Sequence, residues 1–244
     1  MLKEKTEQSD SNITFLSIIA GELRQTVPEG TPGAILREWV ISGVPGKKWE
    51  VPFPGVEGII SSVEFHESER FGKNISVWLK DGGELFCVSV GVKSPYGEDI
   101  IKKLPSVNLK ESVTLTPYEF TPKGKDKELK GVTFTQNGVK LKNFYKDAEG
   151  NPLNGLPTTD GNTEGMDKEE RSEFWTSFFS KQRRFMIKEI ETKIIPKLEP
   201  APEFRKKEEK VEEVGYGNKL DNFEKKEDGI KFPVEDIDPN DIPF

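Results

Sequence analysis

Two adjacent glycines, Gly82-Gly83, stand between two alternating runs, Asn74–Lys80 and Glu84–Val90. A two-residue glycine turn takes up positive φ without strain and joins antiparallel strands in a fixed register. With that turn, Asp81 faces Glu84, Leu79 faces Phe86, Val77 faces Val88 and Ile75 faces Val90. All six apolar residues then share one face, and a slip of one residue would turn them all into water. The other face carries Ser76, Trp78 and Lys80 opposite Ser89, Cys87 and Leu85. A chain built around this hairpin has to bury one side of a sheet and leave a mixed aromatic and polar side opposite it.

The flanking sequence continues the β pattern. Strands are expected at about Glu57–His66, Asn74–Lys80, Glu84–Val90, Ser112–Phe120 and Gly131–Gln136. A helix is expected over Pro95–Leu104, capped by Ser94, with Pro95 at its first position and Ile100, Ile101 and Leu104 on one face. A helix between the third and fourth of five strands is the element order of the OB-fold, a five-stranded Greek-key barrel. The turn Asn137-Gly138 pairs Phe134 with Leu141 and extends the sheet to about Phe144. Ahead of the barrel, Ile13–Ala20 is apolar, and Ile35–Ile41 and Lys48–Phe53 flank Gly43-Val-Pro-Gly46 as a hairpin, so an N-terminal β extension packed on the barrel is expected.

The rest divides by composition. Residues 1–11 are polar and expected to be disordered, 12–145 hold the OB domain with its extension, and 146–166 form a loop rich in Gly, Asn, Pro and Thr. A long helix over 167–196 begins at an Asp167/Glu170 capping box and stops at Pro196. Its apolar stripe, Phe174, Trp175, Phe178, Phe179, Met186, Ile190 and Ile194, is expected to be core, with a partner site as the alternative. The Lys181-Gln-Arg-Arg184 patch on this helix is free to touch DNA or an acidic segment. Residues 197–234 are rich in Lys, Glu and Pro and are expected to be a disordered linker.

Charge is uneven along the chain. Residues 199–244 carry 14 acidic and 8 basic side chains, a balance of −6 within a net charge of −7. The remaining body holds 29 acids and 28 bases and is nearly neutral, so any nucleic-acid site has to be local rather than a general basic footprint. One Cys and one His exclude a disulfide framework and a Cys/His metal cluster. No phosphate loop or nucleophile–base pair is identifiable, so no enzyme activity, cofactor or metal is expected. Without a signal-like or membrane-length apolar run, the chain is expected to be soluble and cytoplasmic.

The last ten residues, 235–244, contain four acids and no base, and end in Asp241-Ile242-Pro243-Phe244. An aromatic ring and a carboxylate on one free end suit a small apolar pocket with a basic rim. This segment resembles the C-terminal tip of bacterial single-stranded DNA-binding proteins, which end in an acidic run and Ile-Pro-Phe or Leu-Pro-Phe. In that family the tip recruits replication and repair enzymes while an OB-fold binds the strand. The middle of the chain, about 56–145, resembles the OB-fold of phage-encoded single-stranded DNA-binding proteins, through Gly131-Val-Thr-Phe-Thr-Gln-Asn-Gly138 followed by Asn154-Gly-Leu-Pro157.

The two resemblances imply a protein that coats single-stranded DNA during viral replication and recombination. Its tip would bring in a polymerase, helicase, primase or recombinase through Asp236, Asp238, Asp241, Ile242, Pro243 and Phe244. The expected DNA contacts are Trp78 for stacking, with Lys80 and Lys73 on the same hairpin for phosphates. A competing arrangement has the N-terminal strands or the long helix cover Trp78 as a second core. The barrel's first loop offers Arg70 and Phe71, and its fourth-to-fifth-strand loop offers Lys123, Lys125 and Lys127. Tyr118 and Phe120 share a strand face that a bulge at Pro117 would obscure. Two other classes stay open: an interaction protein that mimics the host tip without binding DNA, and a nuclease with an acidic metal site.

Overall fold

A computed structural model describes residues 13–41, 44–68 and 72–202. The chain divides into Met1–Ala201 and Pro202–Phe244, and nearly all described residues belong to the first unit. The expected disordered start, most of the expected linker and the acidic tip lie outside the described residues.

The described residues are mainly β, with ten strands in one open mixed sheet. In chain order they are β1 (Ile13–Ile19), β2 (Glu22–Val27), β3 (Ile35–Ile41), β4 (Val44–Phe53), β5 (Val56–Ser68), β6 (Gly72–Asp81), β7 (Glu84–Gly91), β8 (Val113–Phe120), β9 (Leu129–Gln136) and β10 (Val139–Lys140). Across the sheet the order is β10-β9-β8-β5-β6-β7-β1-β2-β4-β3. Helix α1 (Pro95–Lys103) follows β7, and helix α2 (Lys168–Lys193) follows the last strand.

The β6–β7 hairpin has the register that its turn dictates. Gly82 and Gly83 take φ of 51° and 98°, and Leu79, Val77 and Ile75 pair with Phe86, Val88 and Val90. Ile75, Val77, Leu79 and Val88 have no exposed surface. Strands β5 to β9 and α1 occur in the expected order, and β5 pairs with both β6 and β8. To close these five into a barrel, β9 would have to lie beside β7. That edge of β7 is filled instead by β1, which runs parallel to it with Phe15 opposite Cys87. The N-terminal segment is therefore not a layer packed on a barrel. It continues the sheet through β1, β2, β4 and β3.

Two strand-level expectations change for local reasons. Strand β2 has only Leu23 as a fully buried apolar anchor, so its pattern is weak, yet the Ala20-Gly21 turn with φ of 50° and 74° makes a β1–β2 hairpin. Gly21 is required there, because a Cβ would lie 2.6 Å from the backbone nitrogen of Glu119. No bulge forms at Pro117, which pairs with Val132 in an unbroken β8–β9 register. Its missing N–H costs nothing, since β5 pairs with β8 only as far as Leu115. After the Asn137-Gly138 turn, Leu141 still donates to Phe134 O at 2.8 Å, but the strand stops at Lys140 and Phe144 bonds to Lys102 O in α1.

The core lies between the apolar sheet face and the two helices. Ser94 caps α1 through a bond from Gly97 N, and Ile100, Ile101 and Leu104 are fully buried. Helix α2 starts at the complete Asp167/Glu170 capping box. Only its second half reaches the core, through Met186, Ile187, Ile190 and Ile194. The expected continuous core stripe is thus corrected. Phe174, Trp175, Phe178 and Phe179 pack mainly on one another, with Trp175 stacked on Phe179 at 5.7 Å.

Candidate nucleic-acid interface

Strand register places one set of side chains on the face opposite the core. Cross-strand partners share a face, and so do residues two apart along a strand. Trp78 pairs with Cys87, Cys87 with Phe15, Ser17 with Arg24, Thr26 with Glu50, and Lys48 with Arg37. From β6 to β3 this face therefore carries Lys80, Trp78, Phe15, Arg24, Lys48, Arg37 and Trp39.

Its organising centre is Glu50, whose side chain has no exposed surface. Arg37 binds it with two hydrogen bonds, at 2.9 and 3.2 Å, Lys48 Nζ lies at 2.6 Å and Arg24 Nη1 at 3.6 Å. Burial by itself raises the carboxyl pKa. The hydrogen bonds and charges of Arg37 and Lys48 outweigh it and hold Glu50 below the usual carboxylate value. One carboxylate thus fixes three cations that keep a partly exposed edge. Arg24 Nε is buried without an acceptor, and Arg24 also pairs with Glu22 at 3.0 Å.

Aromatic rings border this group. Trp39 lies flat across Gly46, where a Cβ would come within 2.4 Å of the indole, and Arg37 sits 4.5 Å from the ring centroid. Phe15 is 51% exposed and meets Trp78 edge-on at 5.9 Å. The expectation of an open Trp78 is corrected: it is 1% exposed, packed with Leu85, Cys87, Ile13 and Ala201, and its indole N–H donates to Glu64. The covering comes from β1 and the segment after α2, close to the competing second-core arrangement. Lys80 lies on the same face but is paired with Glu199.

Lys73 lies on the other face. It pairs with Glu67 two residues along from the Phe65–Ile75 pair, sits 5.0 Å from the Phe65 ring and bonds to Glu191 of α2 at 3.3 Å. The structure therefore does not unite it with Trp78. Arg70 and Phe71 lie outside the described residues. Lys123, Lys125 and Lys127 stand exposed in the β8–β9 loop, beside Phe120 at 52% exposure and the half-buried Tyr118. The Tyr118 and Phe120 rings are 5.9 Å apart, and burial, then the charge of Asp99, raises the Tyr118 phenol.

Sequence reasoning missed Phe15, Arg24, Arg37, Trp39, Lys48 and Glu50. Arg37, Trp39, Lys48 and Glu50 share the β3–β4 hairpin, but Arg24 and Phe15 join them only through the β2–β4 and β1–β7 pairings, which are out of chain order. The alternation Arg37-Glu-Trp39 beside Lys48-Trp-Glu50 was the available signal.

Burial pushes the Cys87 thiol up to about 12, which leaves it a poor nucleophile. Among the described residues no cluster of three or more His, Cys, Asp or Glu is arranged to hold a metal, and no helix is long and apolar enough to cross a membrane. No protein-family model, curated protein or solved structure matches this chain.

Proposed function

We propose that the protein binds single-stranded DNA along the polar face of its sheet, with little sequence preference, and recruits replication or recombination enzymes through its acidic tip. The observation that carries this reading is the pairing of fixed cations with flat or exposed rings on one face. Arg37, Lys48 and Arg24 are held around Glu50, with Trp39 and Phe15 beside them. Bases stack on any aromatic plane and phosphates take any cation, so such a face binds a strand without reading it. The β8–β9 loop with Lys123, Lys125 and Lys127 offers a second cationic stretch next to Phe120 and Tyr118. The order β5, β6, β7, α1, β8, β9 supports an OB-type unit whose closing edge has been taken over by β1. The acidic run ending in Ile242-Pro243-Phe244 supports the recruiting role.

The test is a tryptophan-fluorescence titration of the full chain with oligo-dT at two salt concentrations. Binding should weaken as salt rises, and folded Phe15→Ala and Trp39→Ala proteins should each lose about 1–3 kcal/mol. Unchanged affinity in both variants would move the site elsewhere. No binding by the unaltered protein would end the DNA reading. In that event, capture of host replication proteins that depends on Phe244 would leave a decoy of the host tip as the function.

A further inference from the structure

We infer that Leu198–Ala201 is a displaceable strap over a second stretch of the same face, Trp78 and Lys80, and that a single strand competes with it there. This rests on the single-strand reading above and adds how part of that face is controlled.

The path of the segment is defined. Leu198 packs against the main core. The N–H of Glu199 donates to Ser61 O at 3.0 Å, at the bulge between Ile60 and Ser62. There β5 has an edge free of β8, since their pairing ends at Gly58. The chain crosses this gap from the core face to the polar face. The Glu199 carboxylate then meets Lys80, and Ala201 packs against the cluster of Trp78, Leu85 and Cys87.

Beyond Leu198, which stays anchored in the core, the strap's hold is slight: among the described residues it shows one backbone bond, one ion pair between side chains 51% and 65% exposed, and the packing of one alanine. Pro200 and Pro202 lack N–H groups, so the segment cannot zip onto β5 as a further strand. An exposed pair of this kind is weak and salt-sensitive. Beneath it lies a cation next to an indole, with Phe15 edge-on to that indole at 5.9 Å. The Glu199 carboxylate occupies Lys80 as a phosphate oxygen would, so strap and strand exclude each other.

The experiment uses full-length protein, Glu199→Gln and, as a charge control, Glu169→Gln in the first turn of α2. Oligo-dT affinity is measured at low and high salt. The reaction rate of Cys87, the sole cysteine, with a thiol reagent is measured without DNA. Glu199→Gln should bind about threefold to fivefold tighter at low salt, with the gain shrinking at high salt, as befits the loss of one exposed competing pair. Its Cys87 should react several-fold faster, because Ala201 packs against the cluster that buries that thiol. Glu169→Gln should change neither reading. Equal affinity and equal Cys87 rates in Glu199→Gln and the unaltered protein would overturn the strap while leaving DNA binding intact. An equal affinity gain in Glu169→Gln would assign the effect to bulk charge and overturn it as well. If no variant binds oligo-dT, competition is refuted together with the reading beneath it.

Discussion

Arg37 grips the fully buried carboxylate of Glu50 with two hydrogen bonds, Nε to Oε2 at 2.9 Å and Nη2 to Oε1 at 3.2 Å. The two residues come from strands β3 and β4, and the bidentate fit holds the guanidinium at a set angle over Trp39. Glu50 therefore positions the cations around it.

Replacing Glu50 by Ala should cost about 2–3 kcal/mol of stability. Breaking a buried pair from one side typically costs roughly 3–5 kcal/mol, but Arg37 and Lys48 are each 28% exposed and can recover water. Urea denaturation of the two proteins measures it, and a change under about 0.5 kcal/mol would show that the cations stabilise themselves without the carboxylate.

The same group predicts an acid limb. Glu50 has a folded pKa depressed below its ordinary 4.5. Its contribution is fully present above that value and is lost as pH falls through the lower, folded value. Thermal melts between about pH 6 and pH 3 should show Glu50→Gln losing less stability on acidification than the unaltered protein. Parallel curves would mean that other carboxyls carry the acid limb.

Gly21→Ala should destabilise by more than about 1 kcal/mol, and by more than Gly83→Ala. Both glycines have positive φ, of 74° and 98°. Only at Gly21 would the added Cβ also strike backbone, 2.6 Å from Glu119 N, whereas Gly83 has open space. Chemical denaturation of the pair separates the clash from the shared dihedral cost.

Trp78→Ala should cost about 3–5 kcal/mol, since the indole is 1% exposed in a packed cluster. Loss of DNA affinity in this variant is interpretable only after its fold is checked by circular dichroism. A stability change below about 1 kcal/mol would show the indole to be loosely covered.

What the sequence determined by itself was local. The Gly82-Gly83 turn and its alternating flanks set the β6–β7 register, because turn chemistry and a period of two leave one solution. Ser94 with Pro95, and Asp167 with Glu170, announced both helix starts, because a capping side chain satisfies first-turn N–H groups from within a few residues. The opposite placement of Lys73 and Trp78 was legible too, since residues five apart on one strand point to opposite faces. The tertiary structure alone decided which edge met which. β1 completes β7 where β9 would close a barrel, and β2 pairs with β4 rather than β3, which brings Arg24 to the Glu50 group that the β3–β4 hairpin already supplies with Arg37 and Lys48. It alone brought Ala201 against the Trp78 cluster, from more than a hundred residues away in the chain. Edge pairing and burial depend on every other element that competes for the same surface, and no window of neighbouring residues contains that competition.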